Sequence, residues 1–337
     1  MLQSPLTDRT SIYRYRDVDL LTAAIAHLNF FSWLHEQGRP ADLAAICRGL
    51  NLRERRADVM LTLFTAMGLL EKVGQEFALT DLAREHLVTS SPWNIGPYFD
   101  STKERPVCRD LVTVLRTGKP TNWASLKDEK EWAKAMETDA FANQFTAAMD
   151  ARGVYLGPAL AKRLDLSNHR HLLDIAGGSG IYACALVAHH PQLKATVFEK
   201  PPVDGITRHS LSQRGFSNRI DVSAGDMFRD PFPQGCDVHL LSNVLHDWDA
   251  DQVEVLLQKS FATLPQGGMV VVHDAHLNAS KTGPLPVAAY SALLMTITEG
   301  RCYSESEMSE FLSRAGFADF LFFPTAADRS AMTAKKQ

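Results

Sequence analysis

Three short runs of this chain carry residues whose types and spacing could do chemistry. The first is His171-Leu172-Leu173-Asp174-Ile175-Ala176-Gly177-Gly178-Ser179-Gly180, with Glu199 nineteen residues further on at the end of Ala195-Thr196-Val197-Phe198. A short apolar run, a set of small residues and then Ile181-Tyr182-Ala183-Cys184-Ala185-Leu186-Val187 read as a parallel strand, a tight turn and a helix N-terminus. Glycines in such a turn let the backbone approach a ligand. An acid at the tip of the neighbouring strand is placed to accept both hydroxyl hydrogens of a ribose, so this segment is expected to bind a nucleoside cofactor.

The turn alone leaves two cofactor classes open. Gly178-Ser179-Gly180-Ile181-Tyr182-Ala183 fits the dinucleotide pattern G-x-G-x-x-A. The same residues fit the S-adenosylmethionine (SAM) pattern D-x-G-x-G-x-G, with Asp174 leading and Ala176 in place of the first glycine. The second run, Val244-Leu245-His246-Asp247-Trp248-Asp249, places a histidine just past a strand, where open α/β sheets build their sites. A neutral imidazole, with an ordinary pKa of about 6.5, suits removal of a hydroxyl proton near neutral pH. The third run, Val272-His273-Asp274-Ala275-His276, offers Asp274 as the acid that fixes the tautomer of such a base.

These runs need a scaffold, and the strand pattern supplies one. From residue 171 onward apolar strands alternate with helices at 171–176, 194–198, 219–223, 236–241 and 268–273, which predicts a doubly wound, mostly parallel α/β sheet. A final apolar pair near 319–323 and 330–333, separated by a turn at Ala327-Asp328, is expected to close the sheet as an antiparallel hairpin. That closing hairpin favours the SAM methyltransferase variant over a nicotinamide domain.

Upstream, the chain reads as helical. The run from Val18 to Phe31 is apolar on nearly every side, as for a helix buried in a core or between subunits. Helices at 42–47 and 56–68 and a β-hairpin at 69–80 then follow in winged-helix order. Past Arg53, Arg55 and Arg56 the second helix has no basic residue until Lys72, so a subunit interface is the expected use and nucleic-acid binding is not. The middle, from about 91 to 165, concentrates Trp93, Tyr98, Phe99, Trp123, Trp132, Phe141, Phe145 and Met149, which suit either a helical core or the wall of an apolar pocket. The expected division is 1–100 for a dimerisation domain and 101–337 for a helical lid followed by the SAM-binding domain, whose core starts near 165.

Composition narrows the function classes. With 35 Lys and Arg against 39 Asp and Glu, the net charge of -4 exerts no general pull toward nucleic acid or anionic membranes. Five scattered cysteines without a C-x-x-C pair support neither a disulfide frame nor a zinc site, and no metal is expected. The N-terminus lacks a signal pattern, and no apolar run reaches the roughly 18 residues of a membrane helix, so a soluble cytoplasmic protein is expected.

The glycine turn, Gly225-Asp226-Met227-Phe228 and the 244–249 run together resemble the three signature segments of the small-molecule O-methyltransferases, the group with the plant caffeic-acid, animal acetylserotonin and bacterial natural-product enzymes. The resemblance extends over nearly the whole chain. It implies an N-terminal homodimerisation domain, SAM as cofactor and methylation of a small aromatic or polyketide-like metabolite on a hydroxyl oxygen. It further implies that Asp174, Gly177, Gly178 and Gly180 line the cofactor, that Glu199 holds the ribose, and that Asp226, Met227 and Phe228 meet the adenine. Ser242 and Trp248 complete that pocket, His246 is the general base with Asp274, and Phe145, Met149, Arg152, Met295 and Cys302 form the substrate pocket.

Two departures qualify the resemblance. Where the family has a Gly-Arg-Glu-Arg-like segment this chain reads Gly300-Arg301-Cys302-Tyr303-Ser304, so Cys302 replaces an acid, and Glu299 is out of register by three. Ser242-Asn243 stand where the family often has a Lys or Arg. These differences keep C- or N-methylation, and a non-methylating SAM-binding cyclase, as alternatives.

Overall fold

The computed structural model describes residues 5–121 and 138–337; Trp123 and Trp132 lie outside the described residues. The chain divides into two compact units, one of residues 1–127 with 280–301, the other of residues 128–279 with 302–337. This division differs from a boundary near 100.

In the first unit, α1 (Thr10–Tyr13), α2 (Asp19–Ala26) and α3 (Phe30–Glu36) precede β1 (Ala41–Asp42), α4 (Leu43–Leu50) and α5 (Glu54–Ala66). The hairpin β2 (Leu70–Val73) and β3 (Glu76–Leu79) joins β1 in an antiparallel sheet of order β1-β3-β2. Helices α6 (Asp81–Leu87), α7 (Gly96–Asp100) and α8 (Pro106–Thr117) follow. The apolar run from Val18 to Phe31 is two helices, because Asn29 turns into the left-handed region at φ 49°. Its Leu20, Leu21, Ala23, Phe30 and Phe31 are buried within this single chain, with α2 packed on α7 and α8. The apolar surface expected to face a second subunit is therefore consumed at home, and α8 joins this unit for the same reason. Helix Leu285–Leu294 packs on α5, and the fully buried Arg56 of α5 donates to the carbonyls of Gly118 and Thr298. Those contacts bring the 280–301 segment into the first unit.

The second unit is built on a seven-stranded sheet of order β6-β5-β4-β7-β8-β10-β9. Its strands are β4 (His171–Ile175), β5 (Lys194–Glu199), β6 (Ile220–Ala224), β7 (Val238–Ser242), β8 (Met269–Asp274), β9 (Phe317–Pro324) and β10 (Ser330–Lys336). The first five in sequence are parallel, and β10 and β9 close the edge antiparallel around Ala327 and Asp328, both at positive φ. Successive side chains on a strand face opposite ways. Leu173, Val270 and Val272 accordingly join one core with Leu241, Phe311 and Leu312, while Leu172, Val271 and Leu240 join another with Leu186 and Val197. Burial on both faces is why these strands are continuous apolar runs.

Four helices of this unit bear on the site: α9 (Asp139–Ala161), α10 (Ile181–His189), α11 (Val203–Gln213) and α12 (Ala250–Thr263). Two glycines set the distance between α9 and α10. A Cβ at Gly153 would stand 2.2 Å from Ile181 Cγ2, and one at Gly157 would stand 3.0 Å from Ala185 Cβ. Among the described residues no helix is long and apolar enough to cross a membrane. Gly153→Val is expected to force α9 off α10 and to destabilise the protein by about 1–3 kcal/mol. Urea unfolding measures this, and an unchanged midpoint would show that the close approach is not required.

Candidate active site

The glycine turn sits at the C-terminal end of the central strand. Asp174, next to last in β4, is wholly buried, and the chain folds back so tightly that a Cβ at Gly177 would lie 2.6 Å from its carboxylate carbon. Burial pushes the Asp174 carboxyl up to about 7. Neither of its oxygens makes a hydrogen bond of good geometry in the described chain, although the Ala183 amide offsets part of the burial. Gly178 and Gly180 lie at φ 57° and 75°, where glycine is at no disadvantage, and Ala176 takes φ 53° at a position where the pattern has glycine.

Glu199 ends β5 beside this turn. Its carboxylate accepts from the amides of Gly178 at 3.1 Å and Lys200 at 2.9 Å, and burial raises its pKa against these bonds. One strand further out, Asp226 follows β6 and accepts from the Phe228 amide at 2.8 Å, closing a tight turn. Lys259 of α12 donates to the carbonyl of Met227 at 2.6 Å. Phe228 meets Trp248 edge to face with ring centres 4.6 Å apart, and the Tyr303 hydroxyl donates to the Trp248 carbonyl at 2.7 Å. Asp226, Met227, Phe228 and Trp248 are all partly exposed along one rim.

On the other side of β4, strand β7 ends at Ser242. Asn243 turns at φ 55°, Leu245–Asp247 form a single 3₁₀ turn, and Asp249 caps α12 by accepting from the Gln252 amide. This abrupt exit from the strand turns His246 back toward β8, where Asp274 is the last residue. His246 Nδ1 lies 2.6 Å from Asp274 Oδ1, and both residues are buried. The bond leaves Nε2 as the nitrogen able to accept a proton. Burial works against a charged ring, but the Asp274 and Asp247 carboxylates outweigh it and raise the His246 pKa above its ordinary value, with Arg152 pulling the other way. Despite its own burial, Asp274 is held well below the usual carboxylate range by His246, assisted by His276 and Arg329.

The expected pocket residues are divided between the two units of the chain. Phe145 stacks on Phe141 and packs with Val203 and Ile206 of α11, while Met149 and Arg152 are half-buried further along α9. Arg152 lies within electrostatic reach of His246, Asp247 and Tyr182. Cys302 is fully buried beside Tyr303, whose carbonyl accepts from the Leu277 amide shortly after β8. Met295 is wholly buried and falls in the 280–301 segment that belongs to the first unit.

Several participants carried no local signal. Asp150 on α9 accepts from Ser179 of the glycine turn and takes both carboxylate oxygens to Arg214 at 2.7 Å. Asp247 stands 3.6 Å from His246 Nε2. Tyr182, Asn243 and Arg329 form a connected polar group between β7 and the hairpin. Only Asp247, adjacent to the histidine, could have been suspected from sequence; the others depend on segments far apart in the chain. Among the described residues no group of three His, Cys, Asp or Glu side chains is placed to hold a metal.

The O-methyltransferase domain family matches residues 109–318. A 3-hydroxy-5-methyl-1-naphthoate 3-O-methyltransferase from Streptomyces sahachiroi is 31% identical over 283 residues, covering 83% of this chain and 80% of that protein. The crystal structure of an O-methyltransferase family 2 protein from Planctomyces limnophilus, complexed with apigenin, has a TM-score of 0.85 at 35% identity, covering 100% of this chain and 98% of that one. Human N-acetylserotonin methyltransferase in complex with SAM has a TM-score of 0.65 at 27% identity, covering 99% of each chain.

The tight wrap over Asp174 sets an expectation for this site. Gly177→Ala should weaken binding of S-adenosylhomocysteine at least about tenfold, since the added carbon meets a buried carboxylate and the turn must open. Isothermal calorimetry checks this, and unchanged affinity would rule out the turn as the cofactor's seat.

Proposed function

The chain belongs to the O-methyltransferase domain family and is SAM-dependent, and from that premise we propose that it methylates a hydroxyl oxygen of a small aromatic or polyketide-like metabolite, with His246 as general base. The observation that carries this reading is the 2.6 Å bond from His246 to Asp274, beside the glycine turn at the same edge of the sheet. The relative acting on a hydroxynaphthoate and the structure complexed with apigenin support an aromatic acceptor.

The residues fit the cofactor. The buried Asp174 carboxylate, raised to about 7, is an unmet acceptor that suits the ammonium of the methionine part. Glu199, already oriented by two amides, is assigned to the ribose hydroxyls. Asp226, Met227 and Phe228 are assigned to the adenine, with Trp248 against Phe228 as the outer wall. Bound there, SAM supplies a methyl carbon on a sulfonium, open to in-line displacement by an oxygen.

What the protein contributes is orientation and a place for the proton. Asp274 accepts from Nδ1 and so keeps the lone pair of His246 on Nε2. In methyl transfer, where the methyl–sulfur bond breaks as the methyl–oxygen bond forms, Nε2 would take the acceptor's hydroxyl proton, and the resulting imidazolium would be held by Asp274 on one side and Asp247 on the other. Burial of His246 excludes water from this transfer. Arg152, on the α9 face toward the same groups, is assigned to an anionic substituent of the acceptor. Cys302 in the acid's place leaves Asp274 as the partner of the base.

A homodimer through the first unit is also proposed. The 18–31 run is already covered within the chain, and the exposed apolar residues of that unit include Leu6, Tyr98 and Val107. Sedimentation at micromolar concentration tests it, and a stable monomer overturns it.

His246→Ala is expected to keep S-adenosylhomocysteine affinity and to lose about 10²–10⁴ in turnover. Because the folded-state pKa of His246 is raised, wild-type kcat/KM should fall as pH drops through a midpoint above the ordinary histidine value. Asp274→Asn removes the charge that raises it, leaves burial to dominate and moves that midpoint to lower pH while slowing the reaction. Transfer from labelled SAM identifies the atom modified. Label on carbon or nitrogen, or an unlabelled rearranged product, would replace the proposed reaction; near-normal turnover in His246→Ala would place the base elsewhere.

A further inference from the structure

We propose that the methionine carboxylate of the cofactor is read by Arg329, delivered from the tip of the C-terminal hairpin and held in place through Asn243 and Tyr182. The proposal rests on the assignments of ribose and adenine made above and goes beyond them to a group on the far side of the site.

Strand order gives the direction. Along the C-terminal edge of the sheet stand Asp226 after β6, Glu199 ending β5, the glycine turn after β4, Asn243 after β7 and Asp274 ending β8. Adjacent strands are about 4.8 Å apart. A ligand with its adenine over β6 and its ribose at β5 must run its amino-acid end across the β4 turn toward β7.

A connected polar group lies in that corner. Asn243, at φ 55°, donates from Nδ2 to the Tyr182 hydroxyl at 3.1 Å and to Ser242 Oγ at 3.2 Å, and its Oδ1 accepts from Arg329 Nε at 2.9 Å. Tyr182 is in the first turn of α10, directly after the glycines. A second arm ties the hairpin to the strand ends: Ser242 Oγ is 2.9 Å from His273 Nδ1, and His273 Nε2 is 3.0 Å from Thr325 Oγ1. Thr325 and Arg329 close the hairpin turn by a backbone bond of 2.9 Å, and Ser330 is in register with Asp274. Position 243 has no charge of its own, and the hairpin brings one to it. The charges of Arg152 and Arg329 both favour the ionised Tyr182 phenol against its burial, so two cations lie within electrostatic range of this group. Planar donors of this kind suit a carboxylate.

The same contacts could simply pin the hairpin to the sheet, so the test separates recognition from scaffolding. Calorimetry would compare S-adenosylhomocysteine with its decarboxylated analogue, S-adenosyl-3-thiopropylamine, on wild type, Arg329→Met and Arg329→Lys, with thermal melting of each. The wild type should prefer the carboxylate ligand about ten- to hundredfold. Arg329→Met should lose that preference while keeping its affinity for the analogue, and Arg329→Lys, which retains a cation, should keep part of it. If Arg329→Met melts too early to titrate, Asn243→Asp takes its place, since a carboxylate there repels the ligand's carboxylate and spares the analogue. Equal loss for both ligands, or a preference unchanged in Arg329→Met, overturns the proposal. Failure of the ribose and adenine assignments reads out separately, as analogue binding unaffected by Glu199→Ala and Asp226→Ala.

Discussion

The second unit is organised around one buried pair. His246 and Asp274 are 2.6 Å apart with little access to water, and an ionisable group in that position is tolerable only with its partner in place. The pair exists because β7 and β8 are adjacent and parallel, with Ser242 in register with His273, so that the residues just past both strands meet. Asn243 ends β7 by entering the left-handed region, and the 3₁₀ turn and the Asp249 cap then fix how His246 returns. Loosening either strand end would leave an uncompensated charge in the interior, which makes the strand register and the site geometry a single requirement.

Small residues decide how closely the other elements approach that pair. Gly177 allows the turn to close over Asp174, and Gly153 with Gly157 lets α9 lie directly on α10. Asp150 reinforces the second contact from the same helix by engaging Ser179 and Arg214. Through α9 the sheet's glycine turn is coupled to the helix that carries Phe145, Met149 and Arg152. The proposed cofactor seat and the proposed acceptor wall therefore share one rigid support.

The first unit shows where reasoning from hydrophobicity alone stops. A run apolar on all sides must be covered, but nothing in the run says by what. Here α7 and α8 cover it, and a helix from beyond residue 280 covers α5. Arg56 illustrates the same point with the opposite chemistry, being a cation on the buried face of α5 that donates to two carbonyls 62 and 242 residues away.

The strands, their order of appearance, the closing hairpin with its turn at Ala327 and Asp328, and the two halves of the buried pair were legible in the sequence, because each rests on periodicity, turn chemistry or a motif a few residues long. The placement of Glu199 at the end of β5 and of Asp226 just past β6 was legible as well, since a parallel sheet brings every strand's C-terminal end to one edge. The break at Asn29, the passage of 280–301 to the first unit, the burial of Met295 and the meeting of Asp150, Tyr182, Asn243 and Arg329 were decided only by tertiary packing. Their cause is contact between segments separated by tens to hundreds of residues, and local propensity carries no information about which distant surface will satisfy a buried face or a buried polar atom.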